Sequence, residues 1–580
     1  MNKMDNQIIE KSSTLGLDEN LPTYEEYLEK IERVKATKIG RLFTILKEER
    51  KRILIALATY FVCTFMYSFV RQFKDVILYD VFTGPELVNY FELCTFFLSL
   101  GLFKVSTSLS NKYGVNRFTD IYLFGAIVIY AICGIFMVFD RFVLVNKRGA
   151  VEELFNGNLA IFRGLSLYAK LFKLFSNFIY SFFYVFLDAS SSLLMSCTFM
   201  TFFISNITYE QSQRYLFIIL AGANTALFAS VFAVRSLVGV INCSATTSTQ
   251  WKYYLIFVTL LIFLYLLIVF FKRLLQNELQ KPLYVGNYIK ETKKKRERNT
   301  TTFSESIYVI YKVRWLFSIT ILALFYNVLS GIVNVSTFYS YTANSDFLTN
   351  NPKYNTTPGF NPTRSNVSMF YRTNECMITS MINIILMLLP IFKHLFHVFG
   401  IKSFGMIMVV CPVTIFVVVS IFAAINYPFT NSGQRVLMGL GIYAAENKFG
   451  QESALVCFLN IATKVAKFSF YDIIKESISS KIDPTNKVFY KGIFDGIIPK
   501  VGKLLGTFYL VLMSIITGRD DVRYFTMISS LFLIAMGVLG VISSFWLHKA
   551  YVKAVENKEF LESYDKKGEE KVEFDNKQSL

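Results

Sequence analysis

Lysine sets the chemistry of this chain, because it recurs inside runs that are otherwise apolar enough to lie in hydrocarbon. The stretch Asn460-Ile-Ala-Thr-Lys464-Val-Ala-Lys467-Phe-Ser-Phe-Tyr-Asp472-Ile-Ile-Lys475-Glu476 is followed by Lys491-Gly-Ile-Phe-Asp495-Gly-Ile-Ile-Pro-Lys500-Val-Gly502-Lys503. Arg71, Lys74 and Asp75 stand at i, i+3 and i+4 and so share one helix face. Arg71 and Asp75 can neutralise each other, which leaves Lys74 in excess. Lys491 and Asp495 repeat the basic-to-acidic i,i+4 pairing, with Lys500 and Lys503 left over. Asp188 is a lone carboxylate within the apolar run Tyr184-Val-Phe-Leu-Asp-Ala-Ser-Ser. A lysine in hydrocarbon costs about 2.5–3.5 kcal/mol on insertion scales, so a chain that places several there needs an anionic partner for them. Unpaired ammonium groups around one cavity suit a polyphosphate, whose oxygens they meet as point charges. A purine ring would stack on aromatic side chains, and 34 Tyr and 59 Phe leave open which ones.

The same charges could instead snorkel to the interface or pair between helices to fix packing. That structural role is expected of Lys467 and Lys475, placed by the pattern at the partly solvated cytoplasmic end of a helix. Lys74, Lys491 and Asp188 are expected to act on a substrate.

The elements that position these residues follow from composition. The 580 residues are 53% hydrophobic and 17% aromatic, and the mean hydropathy is +0.42. Apolar runs of about 20 residues, the length that crosses a ~30 Å hydrocarbon core, recur along the chain. They predict an all-α polytopic membrane protein with twelve transmembrane helices in two six-helix bundles. Residues 1–52 read as a polar cytoplasmic tail without a secretory signal. Residues 53–271 form the first bundle, with runs near 53–70, 87–105, 119–139, 177–204, 215–241 and 253–271. Residues 272–314 carry eleven Lys and Arg against four Glu, a cytoplasmic linker under the positive-inside rule. The second bundle, 315–547, has runs near 315–335, 376–398, 402–424, 434–460, 488–516 and 522–547. A cytoplasmic tail, 548–580, follows. Residues 336–375, rich in Asn, Pro and Thr with Asn-x-Ser/Thr sequons at Asn355 and Asn366, read as a long external loop.

An internal repeat supports the two-bundle reading. Tyr113-Gly-Val-Asn-Arg-Phe118 follows the second run of the first half, and Phe399-Gly-Ile-Lys-Ser-Phe404 follows the second run of the second. The first copy resembles the basic loop between helices two and three of the major facilitator superfamily. Two such bundles suit alternating access around a site near the membrane midplane.

Several other classes are excluded. Membrane orientation accounts for much of the net charge of +18, so no nucleic-acid partner is implied. The eight cysteines form no CxxC pair and read as small core residues. His394 and His397 lack a Cys or carboxylate neighbour to complete a metal site. Gly496 to Lys503 has five residues between its glycines and Leu504 where a P-loop has Ser or Thr. The chain has no soluble domain large enough for an ATPase, so no enzyme activity and no cofactor are expected.

These residues resemble the nucleotide transporter (ATP/ADP translocase) family of plastids and obligate intracellular parasites, microsporidia included. Arg71, Lys74 and Asp75 match its first-helix Arg-x-x-Lys-Asp, and Gly84-Pro85-Glu86 resembles a following Gly-Ala-Glu. Arg214-Tyr215 with Gly222-Ala-Asn224 resembles its fifth-helix pattern, and Asn460 to Glu476 matches a long signature that includes Lys464, Lys467 and Asp472. Lys491, Asp495, Gly502 and Lys503 align with its later Lys-Ala-Ala-x-Asp…Gly-Lys segment. The resemblance implies transport of ATP and ADP, often by strict exchange, with Lys74, Lys491 and Asp188 important for it. Arg71, Lys500 and Lys503 are expected to join them at the substrate. Asp75, Asn224, Asn460, Lys464, Lys467, Asp472 and Asp495 are expected in structural or gating roles.

Two positions depart from the family. Asp188 stands where the family has Glu, and Ile332-Val-Asn334-Val replaces Leu-Val-Glu-Val, putting an amide in place of an acid. Asn334 is therefore a candidate substrate residue that could alter ion coupling or admit GTP. The expectation is a monomer in the lipid bilayer of a parasite's surface membrane, with both termini cytoplasmic, importing host ATP or other purine nucleotides for ADP. A facilitator for another phosphorylated or organic anion is the alternative.

Overall fold

The computed structural model describes residues 22–36, 45–82, 85–139, 174–194, 209–244, 250–281, 310–354, 361–388, 390–426, 448–482, 498–519 and 521–557, with isolated positions between them. Among the described residues every regular element is helical. In order they are α1 (Tyr24–Ala36), α2 (Arg50–Phe82), α3 (Val88–Tyr113), α4 (Val115–Phe139), α5 (Phe178–Leu193), α6 (Tyr209–Ser244) and α7 (Gln250–Leu279). Then come α8 (Arg314–Asn350), α9 (Arg364–Leu388), α10 (Pro390–Asn426), α11 (Phe449–Val465), α12 (Asp472–Ser480), α13 (Ile498–Thr517) and α14 (Thr526–Glu556). Nine stretches among the described residues are long and apolar enough to cross a membrane.

Two expectations are corrected. The external loop read over 336–375 is far shorter, because α8 runs on to Asn350 and α9 begins at Arg364. Its polar residues do not end the helix; they are buried in it. Thr337 Oγ1 donates to the Val333 carbonyl at 2.7 Å, and Ser336, Ser340 and Ser345 are all buried. A hydroxyl satisfied by its own helix costs little in the interior, so hydropathy underestimates such a segment. The run expected to end at residue 460 also continues. α11 passes through a π-helical turn, Ala466–Tyr471, into α12, and the whole forms one span, Phe449–Ser479. Lys464 and Lys467 therefore lie on one helix that continues past residue 460, both half-buried. Residues 427–447, where that run was expected to start, lie outside the described residues.

The chain divides into two compact units. The first comprises residues 1–71, 98–160 and 186–297. Within it Gly134 lets α4 approach α7, a Cβ there meeting Val258 Cγ1 at 3.3 Å. The Tyr130 and Ser190 hydroxyls share a 2.6 Å hydrogen bond, with the Tyr265 ring 5.5 Å from Tyr130. The polar N-terminal segment contributes α1, whose Tyr27 and Ile31 pack with Leu46. Arg214 is bidentate to Glu49, both bonds 2.9 Å, and donates to the Tyr27 hydroxyl at 2.7 Å. Tyr27 in turn donates to Glu49 at 2.7 Å. Burial, then the Glu49 carboxylate, pushes the Tyr27 phenol well above its usual range, which keeps it a donor.

The second unit comprises residues 72–97, 161–185 and 298–580. Its centre is α8, buried along most of its length, which packs on α13 through Gly502 and Gly506. α10 meets α14 in the same way: a Cβ at Gly540 would lie 3.1 Å from Val409 Cγ2. Small residues let helix backbones close up where lipid offers no hydrophobic drive for association.

The internal repeat has a backbone counterpart. Gly114 and Gly400 both take positive φ, 82° and 66°, where a side chain would be strained. In each copy the helix breaks at the glycine and the phenylalanine four residues on, Phe118 or Phe404, is buried.

A Cβ at Gly502 would lie 2.7 Å from Asn327 Cβ and 3.2 Å from the Leu324 carbonyl. Gly502→Val is expected to cost about 1–3 kcal/mol, seen as a lower melting temperature in detergent. Gly101→Ala, with nothing within 4 Å of its Cβ, is the control and should leave the melting temperature unchanged or raise it.

Candidate functional site

The second unit gathers charged side chains on its membrane helices. Arg372 lies at their centre on α9. It is nearly buried, with 9% exposure. Its Nε is 3.5 Å from Asp75 Oδ2, its Nη1 is 3.5 Å from Glu375 Oε2, and its Nη2 donates to Asn334 Oδ1 at 2.6 Å. The guanidinium also lies over the Phe338 ring, 4.7 Å from its centroid. Glu375, fully buried, passes the charge on to Lys464 Nζ through an ion pair. Asn334 Nδ2 donates to Glu92 Oε1 at 3.1 Å, and Thr507 Oγ1 donates to Glu92 Oε2 at 3.1 Å.

Helix geometry explains the grouping. Arg372 and Glu375 are one turn apart and lie on one face of α9. Asn460 and Lys464, four apart on α11, follow the same rule. Asn460 Nδ2 donates to Thr337 Oγ1 at 2.5 Å, while Lys464 reaches Glu375. Lys74 lies over the Tyr184 ring at 5.2 Å, and Tyr184 stacks on Phe91 at 4.4 Å, next in sequence to Glu92. Lys467 lies 5.5 Å from the Tyr326 centroid and 5.2 Å from Phe468. Asp472 pairs with Lys475 at 3.2 Å.

The second unit thus brings together Lys74, Asp75, Asn334, Asn460 and Lys464. Lys500 is half-buried and Lys503 exposed on α13. Arg71, Asp188 and Asn224 belong to the first unit. There Arg71 Nη1 donates to the Tyr67 hydroxyl at 3.0 Å, Asp188 is half-buried and Asn224 is buried. Lys491 and Asp495 lie outside the described residues. Among the described residues no group of His, Cys, Asp and Glu is placed to hold a metal ion.

Arg372, Glu375 and Glu92 were not singled out from sequence. The first two fell in the segment read as a loop, although the i,i+3 Arg–Glu pair beside an apolar run was a usable signal. Glu92 was the acid inside the second apolar run, and an acid inside such a run marks a functional position by default. Glu452 is a further case. Fully buried, it accepts from Ser340 Oγ at 2.7 Å and Asn426 Nδ2 at 2.8 Å, with Arg523 Nη1 at 4.0 Å.

Helices long and apolar enough to cross a membrane, with lysine, arginine and carboxylates coupled inside one unit, define a polytopic membrane protein of the kind in which such residues mark substrate or ion pathways. The TLC ATP/ADP transporter family model matches residues 29–557, and the chain belongs to that family. This is a transporter family, not an enzyme family. Among its relatives, ADP,ATP carrier protein 1 of Encephalitozoon cuniculi (strain GB-M1) is 22% identical over 550 residues, 93% of each chain. ADP,ATP carrier protein 1 of Paranosema grylli is 23% identical over 514 residues, 87% of this chain and 88% of that one. Solved structures that are similar include a bacterial homolog of the human lysosomal transporter Spinster (10% identity, 90% of this chain and 100% of that one, TM-score 0.45). The nucleoside transporter NupG is another (12%, 86% and 98%, TM-score 0.44).

Removing Lys464 leaves the buried Glu375 with Arg372 alone, and removing Glu375 leaves the half-buried Lys464 without its acid; breaking a buried pair costs up to about 3–5 kcal/mol. Glu375→Gln and Lys464→Met are each expected to lower thermal stability clearly. The double variant should lose less than the sum, with a coupling of about 1–3 kcal/mol. Additive losses would show that the pair is not energetically linked.

Proposed function

We infer that this chain exchanges ATP for ADP across a membrane by alternating access. Membership of the ATP/ADP transporter family supports the substrate class. The single observation that carries the mechanism is the charged cluster around Arg372, inside helices long and apolar enough to cross a membrane. An isolated cation in hydrocarbon is expensive, so a set of cations balanced by carboxylates is suited to an anion that enters and leaves. The reading includes twelve transmembrane helices in two six-helix bundles, 53–271 and 315–547, joined by a cytoplasmic linker, 272–314, with tails at 1–52 and 548–580. Lys74, Arg71, Lys491, Lys500 and Lys503 receive the phosphates, with Asp188 and Asn334 bearing on selectivity. Asp75, Asn224, Asn460, Lys464, Lys467, Asp472 and Asp495 position or gate them. The protein works as a monomer at a parasite's surface membrane, both termini cytoplasmic, importing host ATP and, through the amide at Asn334, GTP.

Proteoliposomes preloaded with ADP, with phosphate or with nothing test this directly. Labelled ATP is expected to enter fastest against ADP, with unlabelled GTP competing; equal uptake into empty vesicles would overturn exchange. Lys74→Ala and Lys491→Ala should each abolish uptake while the protein still reaches the membrane. Normal uptake by both would leave these lysines a structural role only.

A further inference from the structure

Glu92 is held in an unusual way for an acid on a membrane helix. Its two carboxylate oxygens accept from neutral donors, Asn334 Nδ2 and Thr507 Oγ1, both at 3.1 Å. Among the described residues no lysine or arginine pairs with it within 4 Å. Its link to Arg372 runs through the Asn334 side chain, which donates to Glu92 at one end and accepts from Arg372 at the other, at 2.6 Å. An amide can do both at once. A carboxylate at 334 could accept from Arg372 but would set two negative charges against each other across the bond to Glu92.

The groups linked in this way are the cations Arg372 and Lys464 and the acids Asp75, Glu92 and Glu375; Lys74 lies over the Tyr184 ring. Asp75 and Glu375 are spent on direct contacts with Arg372, and Glu375 also on Lys464. Glu92 offsets the cluster at a distance without occupying any cation.

We propose that Glu92 sets how firmly the cluster holds a polyphosphate, with Asn334 as the amide that keeps this acid beside Arg372 but unpaired. Without the Glu92 charge, the cluster carries one negative charge fewer, so a nucleotide binds more tightly and leaves more slowly. With a second acid beside it, the cluster carries one negative charge more and the nucleotide binds more weakly. Glu92 acts on binding and release through its charge, as a positioning and tuning group. The inference rests on the transport reading above.

Three variants of nearly unchanged shape test it: Glu92→Gln, Asn334→Asp and the two together. Exchange of labelled ATP is measured in ADP-loaded proteoliposomes and normalised to inserted protein. Glu92→Gln is expected to lower both KM and the maximal rate. The fall in KM should be roughly tenfold, the size of one unit charge acting over about 10 Å at an effective dielectric of about 20. Asn334→Asp should raise KM by a similar factor. The double variant exchanges acid for amide and restores the charge count, so its KM should return to within about threefold of the parent. A merely structural role would move KM the same way in both single variants, and that result, or an unchanged KM in both, overturns the inference. Each single variant reads a sign by itself, so misfolding of one leaves the other decisive. If the parent chain moves neither ATP nor ADP, the transport reading falls and this inference with it. If the parent is active and the signs fail, only this inference falls.

Discussion

The guanidinium of Arg372 must be neutralised where water is scarce, and the second unit is arranged around that requirement. Acids from two elements meet it directly, Asp75 from α2 and Glu375 from α9, and an amide from α8 meets it as well. Each of these groups then has a demand of its own. Glu375 draws in Lys464 from α11, and Asn334 draws in Glu92 from α3, which engages Thr507 on α13. One cation therefore fixes the register of six helices through polar bonds. Low local dielectric strengthens each bond and penalises each gap, so the cluster is sensitive to changes of single charges.

How much of this was legible follows from what hydropathy can see. Long runs facing lipid, such as α4 and α7, appear plainly in the sequence because their exteriors are apolar. The signature from Asn460 to Glu476 was legible as a pattern, but not its place. A run of Lys, Ser and Asp reads as the end of a helix, whereas here the helix continues through it by way of a π-helical turn. The error over 336–375 has the same cause. Thr337 and Ser340 are polar in composition but silent in hydrocarbon, since their bonds close within the protein. Asp75 was recognised by its spacing from Lys74, yet its contact with Arg372 is separated by 297 residues of sequence, and no local pattern reports such a pair.

Close backbone approach is the other condition of the fold. Gly502 and Gly506 let α13 lie against the carbonyls of Leu324 and Val328, and Thr507, next to Gly506, is thereby brought to Glu92. The small residues that set the packing also set the polar contact. Gly114 and Gly400 act differently, by breaking helices at the two copies of the aromatic-Gly motif, so that repetition survives in the backbone where little remains in the side chains.

The clamp on α1 carries a consequence for synthesis. Tyr27 leaves the ribosome before any membrane helix, but Arg214, which holds it, is made 187 residues later. At about 5–20 residues per second, Arg214 follows Tyr27 by roughly ten to forty seconds. Over that interval α1 has only its contacts with Leu46 and Glu49 to hold it. The arginine clamp thus closes only once α6 has been made, and it ties the start of the chain to a helix synthesised much later.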